Sequence, residues 1–164
     1  YTNRRYHRIG GPSIQRWYKN DVLPNCEYWH VNGRASREDG PAVIVRNNMG
    51  YDWDDWFVDG VPHRIDGPSR SKYHYHQPIY REWQVNGKLH RIDGPALMLW
   101  SDKWNPVTHV YDRFYQIEEW NVNGKKHRDD GPAVQQWNKD GNLIEEKYYL
   151  NGVEIAKEEL FELK

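Results

Sequence analysis

Hydrophobic and polar residues alternate along this chain in short bursts. In REWQV (81–85), Trp83 and Val85 fall on one side of an extended backbone and Glu82 and Gln84 on the other; Trp29/Val31, Trp56/Val58 and Trp120/Val122 repeat the spacing. A period of two is the mark of a half-buried strand. Each burst runs into Asn32-Gly33, Asp59-Gly60, Asn86-Gly87 or Asn123-Gly124. These residues tolerate positive φ at both centres of a type I′ hairpin turn. A short return segment, such as Lys88 to Arg91, then leads into Asp-Gly-Pro. There Asp can bond its own backbone, Gly is expected to take the awkward φ/ψ, and Pro suits the start of a strand. Second strands follow at 42–46, 96–100 and 133–137, with Trp17, Tyr73, Trp100 and Trp137 on the face of the small residue four positions earlier.

The pattern is a repeat. Copies cover 1–13, 29–42, 56–69, 83–96 and 120–133, and a worn sixth copy covers 148–155. The turn Asn or Asp falls at 3, 32, 59, 86, 123 and 151, in steps of 29, 27, 27, 37 and 28 residues. The long step places an insertion within 101–119. Besides the turn pairs, the unit is built from Trp83 and Trp120, then His63, His90 and His127, each followed by Arg64, Arg91 or Arg128. It closes on Asp66-Gly67-Pro68, Asp93-Gly94-Pro95 and Asp130-Gly131-Pro132. The expected fold is all-β: an elongated antiparallel array of β-hairpins over 1–152, with two or three short strands per unit. It comprises five full repeats and a degenerate sixth. Residues 153–164 form an expected helical cap, with Ala156, Leu160 and Leu163 on one stripe. The chain opens at Tyr1 inside the pattern, so it is expected to be a fragment, a processed product or an incomplete chain.

The unit W-x-x-N-G-x-x-H-R-x-D-G-P-A resembles the variant MORN-type repeats of proteins from bacteriophages and large DNA viruses. It is similar, more distantly, to bacterial variant-MORN proteins described as antitoxin-like. The likeness extends from Tyr1 to about Ile155. It implies a viral repeat protein and says little about activity.

Composition modifies this picture in three ways. Hydrophobic residues make up only 37%, yet aromatics reach 15%, with nine Trp and twelve Tyr. Aromatic-rich composition argues against disorder, and amphipathic rings are expected to replace aliphatic core in a thin structure. A net charge of −1 gives no general attraction to nucleic acid or anionic membrane. Cys26 is the only cysteine, so no intrachain disulfide can form, and an intracellular (host cytoplasm) or virion setting is expected.

His, Arg and Asp within four positions could be chemistry. His7, His63, His90 and His127 with Asp66, Asp93 and Asp130 could stack as metal ligands. However, Ser36 replaces His in the second unit and Gly10 replaces Asp in the first. A catalytic group needs a singular cleft and partners of differing role, whereas these residues recur at near-equal spacing. The expectation is structural: His or Arg donates to the Asp of its own or the adjacent unit. No catalytic residue, metal site or cofactor is assigned. The row Arg5, Arg8, Arg37, Arg64, Arg91 and Arg128 could contact phosphates, but Glu38, Asp39, Asp66, Asp93, Asp129 and Asp130 accompany it, so nucleic acid is not favoured. In 72–77, His74 and His76 are expected on one strand face and Tyr73 and Tyr75 on the other.

These readings point to a non-enzymatic structural or protein–protein interaction module of a virion or its assembly. The alternative is a soluble host-interaction factor, antitoxin-like or counter-defence. The partner is a protein in either case, a viral assembly component or a host protein. Specificity should lie in what does not repeat: 18–28, 51–56, 72–77 and 101–119. The candidate contacts are Tyr51, Trp53, Trp56, Tyr73, Tyr75, Trp104 and Tyr111.

Overall fold

The computed structural model describes residues 5–19, 21, 24–47, 49–108 and 110–162, with backbone alone for 102–105 and 110–115. Asn3 and Leu163 lie outside the described residues. The strands in chain order are β1 (Ile14–Arg16), β2 (Cys26–Tyr28), β3 (His30–Val31), β4 (Arg34–Ala35), β5 (Val43–Arg46) and β6 (Tyr51–Asp55). Next come β7 (Phe57–Val58), β8 (Val61–Pro62), β9 (Arg70–His74), β10 (Gln77–Glu82), β11 (Gln84–Val85) and β12 (Lys88–Leu89). The last are β13 (Leu97–Asn105), β14 (Val110–Glu119), β15 (Asn121–Val122), β16 (Lys125–Lys126), β17 (Val134–Trp137), β18 (Leu143–Leu150) and β19 (Val153–Ile155), ahead of helix α1 (Lys157–Glu162).

The fold is all-β, and eleven strands follow one another in antiparallel meander order. The chain divides into two compact units, one of 1–78 with 84–87 and one of 79–83 with 88–164. Unit 1 contains the order β1-β2-β5-β6-β9, and unit 2 the order β13-β14-β17-β18-β19 after β10. The remaining eight strands pair as two-residue hairpins, β3–β4, β7–β8, β11–β12 and β15–β16. A full repeat therefore holds two strands of the meander and one small hairpin, four strands rather than two or three.

Trp is where the chain passes from one to the other, which corrects the reading of 81–85 as a single strand. The Trp29, Trp56, Trp83 and Trp120 N–H groups donate to Ala42, Ser69, Ala96 and Ala133 carbonyls at 2.7–2.8 Å, extending the meander ladder. Their own carbonyls accept from Ser36, His63, His90 and His127, closing the hairpin. The polarity expected at 82 and 84 is inverted as a result: Glu82 and Gln84 are buried. Tyr80 donates its hydroxyl to Glu82, and the Gln84 N–H donates to Ser69 Oγ at 3.1 Å.

The hairpin turns follow local chemistry. Asn32, Asp59, Asn86 and Asn123 have φ of 50–52°, and the following glycines 73–83°, the paired positive values of a type I′ turn. The small residue after Gly-Pro is fully enclosed at Ala42, Ser69, Ala96 and Ala133. Aliphatic core is otherwise sparse, with Val45, Val134 and Leu160 buried beside half-buried rings.

At the C-terminus, β19 pairs with β18, so Val153–Ile155 belongs to the meander and not to a separate cap. The helix begins only at Lys157. Glu159 accepts the Ala156 N–H at 2.9 Å, half of a capping box. Leu160 is buried and Ala156 is exposed. Lys157 ties the helix to Glu146 of β18 at 3.0 Å. The 101–119 insertion is a β-ribbon: β13 and β14 pair from Leu97↔Glu119 to Asn105↔Val110, with a bulge after Ser101.

Candidate functional site

The recurring Arg is held on four sides. Its guanidinium carbon lies over the Trp ring of its own repeat, at 3.9 Å for Arg37–Trp29, 4.0 Å for Arg64–Trp56, 4.3 Å for Arg91–Trp83 and 4.1 Å for Arg128–Trp120. Nε donates to the Asp two residues on, at 2.8, 2.7, 2.8 and 2.5 Å for Asp39, Asp66, Asp93 and Asp130. Nη1 reaches the carbonyls of Pro41, Pro68, Pro95 and Pro132 at 3.3–3.5 Å. The fourth wall is the Asp-Gly-Pro glycine. A Cβ on Gly40, Gly67, Gly94 or Gly131 would stand 2.6–3.2 Å from the guanidinium carbon of Arg37, Arg64, Arg91 or Arg128.

Those glycines do not occupy the left-handed region, which corrects the expectation that they are chosen for φ. At Gly40, Gly67 and Gly94 an added Cβ would come within 3.0 Å of the clamped cation and displace it, and at Gly131 it would crowd the cation at 3.2 Å. Arg8 of the first repeat keeps the Pro12 carbonyl at 3.2 Å, while Gly10 supplies no carboxylate.

The expected donation to Asp is made by Arg, and the recurring His holds the next turn. Its Nδ1 accepts the N–H of the turn residue in the next repeat: Asn32 to His7 at 3.0 Å, Asn86 to His63 at 3.1 Å, Asn123 to His90 and Asn151 to His127 at 3.2 Å. In the second repeat, Ser36 Oγ accepts the Asp59 N–H at 3.1 Å. Ser36 is thus the functional equivalent of His, which explains a substitution that a ligand column could not absorb. Two backbone bonds complete each junction, such as Gly124 N–H to the Leu89 carbonyl at 2.7 Å and Arg91 N–H to the Asn121 carbonyl at 3.0 Å. Among the described residues no group of three or more His, Cys, Asp or Glu is placed to hold a metal ion.

Charge is arranged asymmetrically within the clamps. The four arginine side chains are 20–24% exposed, while their Asp partners are 68–84% exposed. The hydrogen bond from Arg and then its charge hold the carboxyls of Asp39, Asp66 and Asp93 below the usual carboxylate range. Glu118 of β14 lies half-buried, and burial raises its carboxyl despite a hydrogen bond from Gln116 and the charges of Arg128 and Arg91.

Of the candidate contact residues, Trp56 belongs to a clamp. Tyr51 stacks on His74 at 4.2 Å and Tyr75 tilts against His74 at 4.7 Å; Tyr51 and Tyr75 are exposed, whereas Trp53 and Tyr73 are half-buried on β6 and β9. The pairing of His74 with His76 on a strand face is overturned. β9 ends at His74, and Tyr75 and His76 form the turn at φ of 45° and 65°. Tyr75 donates its N–H to the Gly50 carbonyl at 2.7 Å, and its ring lies where a Gly50 Cβ would be. Trp104 and Tyr111 face each other in the β13–β14 register, and their side chains lie outside the described residues.

Sequence reasoning missed Ser13 Oγ, 2.7 Å from His30 Nδ1. The hydroxyl is also 3.0 Å from the Tyr28 carbonyl, and burial lowers the His30 pKa. The same repeat positions hold Ser69 and Gln84, which meet through the Gln84 backbone N–H, so a contact between these two positions recurs in the repeat. Compared with family models, curated proteins and solved structures, the chain matches none.

Proposed function

We propose that this chain is a non-enzymatic interaction module, a repeat frame that presents its surface to a protein partner in a viral structure or its assembly. The observation that carries the proposal is how the recurring polar residues are used. Wherever a repeat carries them, Arg, Trp, Asp, Gly and His serve one another or the next turn, and a catalytic centre needs groups left available for substrate. What the frame presents is the non-repeating part: Tyr51 and Tyr75, which pack on the buried His74, and the β13–β14 ribbon. Loops and protruding elements on a rigid frame are where recognition concentrates. The viral setting is supported by the resemblance of the repeat alone.

Two measurements test this. Immobilised protein should capture one partner stoichiometrically, and Tyr51→Ser with Tyr75→Ser, or removal of the ribbon tip, should abolish capture without changing the melting transition. Capture that survives both changes sinks the assignment of the surface. Elemental analysis of chelator-free protein bears on the non-enzymatic half: stoichiometric zinc or calcium would overturn the assignment of the His and Asp rows.

A further inference from the structure

Successive clamps leave a groove between their loops. In unit 1 it encloses about 370 Å³, with Glu38 and Asp39 on one wall and Trp56, His63, Ile65 and Asp66 on the other. In unit 2 it encloses about 720 Å³, between Ile92 and Asp93 on one side and Trp120, His127, Asp129 and Asp130 on the other. Both grooves combine aromatic and aliphatic surface with carboxylates.

Their formal charges nearly cancel, since two arginines line each groove, but the charges differ in depth. Each guanidinium is sandwiched between a Trp ring and a glycine, with Nε committed to Asp and Nη1 to a Pro carbonyl. The carboxylates project: Asp66 is 80% and Asp130 68% exposed. Glu38 and Asp129 are exposed as well. An approaching ligand meets anions first. Ile65 and Ile92 stand 83% and 84% exposed at the middle position of their Arg-x-Asp loops. A large aliphatic residue there does nothing for the clamp.

From this arrangement we propose that the inter-loop grooves bind an extended, basic segment of a partner protein, each taking a lysine or arginine side chain. The aliphatic stem lies along Trp and Ile, and the cationic head meets the rim carboxylates. Long cationic side chains pack in this divided way wherever apolar surface borders acidic groups. Phosphate ligands would face the carboxylates first, and find Nε and Nη1 of each guanidinium already engaged. The inference rests on reading the chain as an interaction module and names the chemistry of what it engages.

The test uses the full chain and fluorescence anisotropy with three labelled probes: a Lys/Arg-rich peptide, its Asp/Glu counterpart of equal length, and a single-stranded oligonucleotide. The basic peptide should bind at least about tenfold more tightly than either other probe, and added salt should weaken it. Glu38→Lys with Asp129→Lys, positions that hold no clamp, should weaken it about tenfold or more. Ile65→Ser with Ile92→Ser should weaken it about three- to tenfold, a loss that diffuse attraction between charges would not show. The proposal is overturned by equal or tighter binding of the oligonucleotide, by no preference for the basic peptide, or by indifference to either double variant. Stoichiometric partner capture through the ribbon or the tyrosine cluster, with no preference among the probes, would end the groove proposal and leave the interaction reading in place. Failure of both experiments would remove both.

Discussion

The guanidinium of Arg91 is pinned between the ring of Trp83, 4.3 Å from its centroid, and the backbone of Gly94, where a Cβ would come 2.8 Å from the guanidinium carbon. The residue that looks most chemical in the repeat is thereby a structural rivet. A cation over a Trp face contributes about 0.5–2 kcal/mol depending on desolvation, and the charge-assisted bond to Asp93 adds to it.

Because the glycine serves the arginine, their substitutions should be coupled. Gly94→Ala should destabilise by about 1–3 kcal/mol through overpacking. In an Arg91→Ala background the same change should cost much less, since the colliding group is gone. Urea denaturation of the four proteins of the cycle measures the coupling. Equal costs of Gly94→Ala in both backgrounds would show that backbone conformation, not the arginine, selects glycine.

His90 and Ser36 do one task with different atoms, each accepting the next turn's N–H. His90→Phe and Ser36→Ala should therefore each lose about 0.5–1.5 kcal/mol in chemical denaturation. A silent Ser36→Ala beside a costly His90→Phe would show that the imidazole matters for some other reason.

Two kinds of carboxylate should give opposite pH responses. Asp39, Asp66 and Asp93 have folded-state pKa values held down by Arg. Their contribution is present above the ordinary carboxylate pKa and is lost as pH falls through the folded values. Glu118 is shifted upward by burial, so what it contributes is present below its unfolded pKa and is lost as pH rises through the folded one. Glu118→Gln should raise the denaturation midpoint at neutral pH and leave it unchanged in acid, where both states carry a protonated Glu118. Asp93→Asn should do the reverse, lowering the midpoint at neutral pH and having no effect in strong acid.

The β13–β14 ribbon is paired with neighbouring strands only at its base. β10 reaches Leu97–Leu99 and β17 reaches Gln116–Glu119, while the pairs from Ser101↔Tyr115 to Asn105↔Val110 join β13 and β14 alone. An isolated two-stranded ribbon stabilises little. Replacing residues 102–114 with Asn-Gly should shift the urea midpoint hardly at all. A large loss of stability would mean that the ribbon packs on its unit.

Much of the fold is legible in the chain because the elements that make it are local. Asn-Gly demands a I′ turn wherever it stands, and the 27-residue step repeats a complete supersecondary unit. The all-β class, the turn positions and the insertion follow from these alone. What the chain does not show are relations set by a neighbour. Trp83 reads as one more alternating strand residue, yet its N–H and carbonyl serve different ladders, so Glu82 and Gln84 turn inward. Gly94 reads as a turn residue, and only the Arg91 guanidinium packed where its Cβ would be explains it. Tyr75 and His76 read as strand, but the backbone reverses at that point with Tyr75 packed at Gly50.

The sequence alone determined the unit, its period and the chemistry of its turns, since each depends on preferences of a few adjacent residues. Only the tertiary structure decided what the His, Arg and Asp are for. Their partners are a ring, a carbonyl and a turn N–H, the ring in the four repeats that carry a Trp, and the turn N–H belongs to a repeat more than twenty residues away. Depth was equally invisible beforehand: residues with balanced formal charge became partly covered cations and exposed anions, because a guanidinium can lie flat on a Trp face and an aspartate in the same loop cannot.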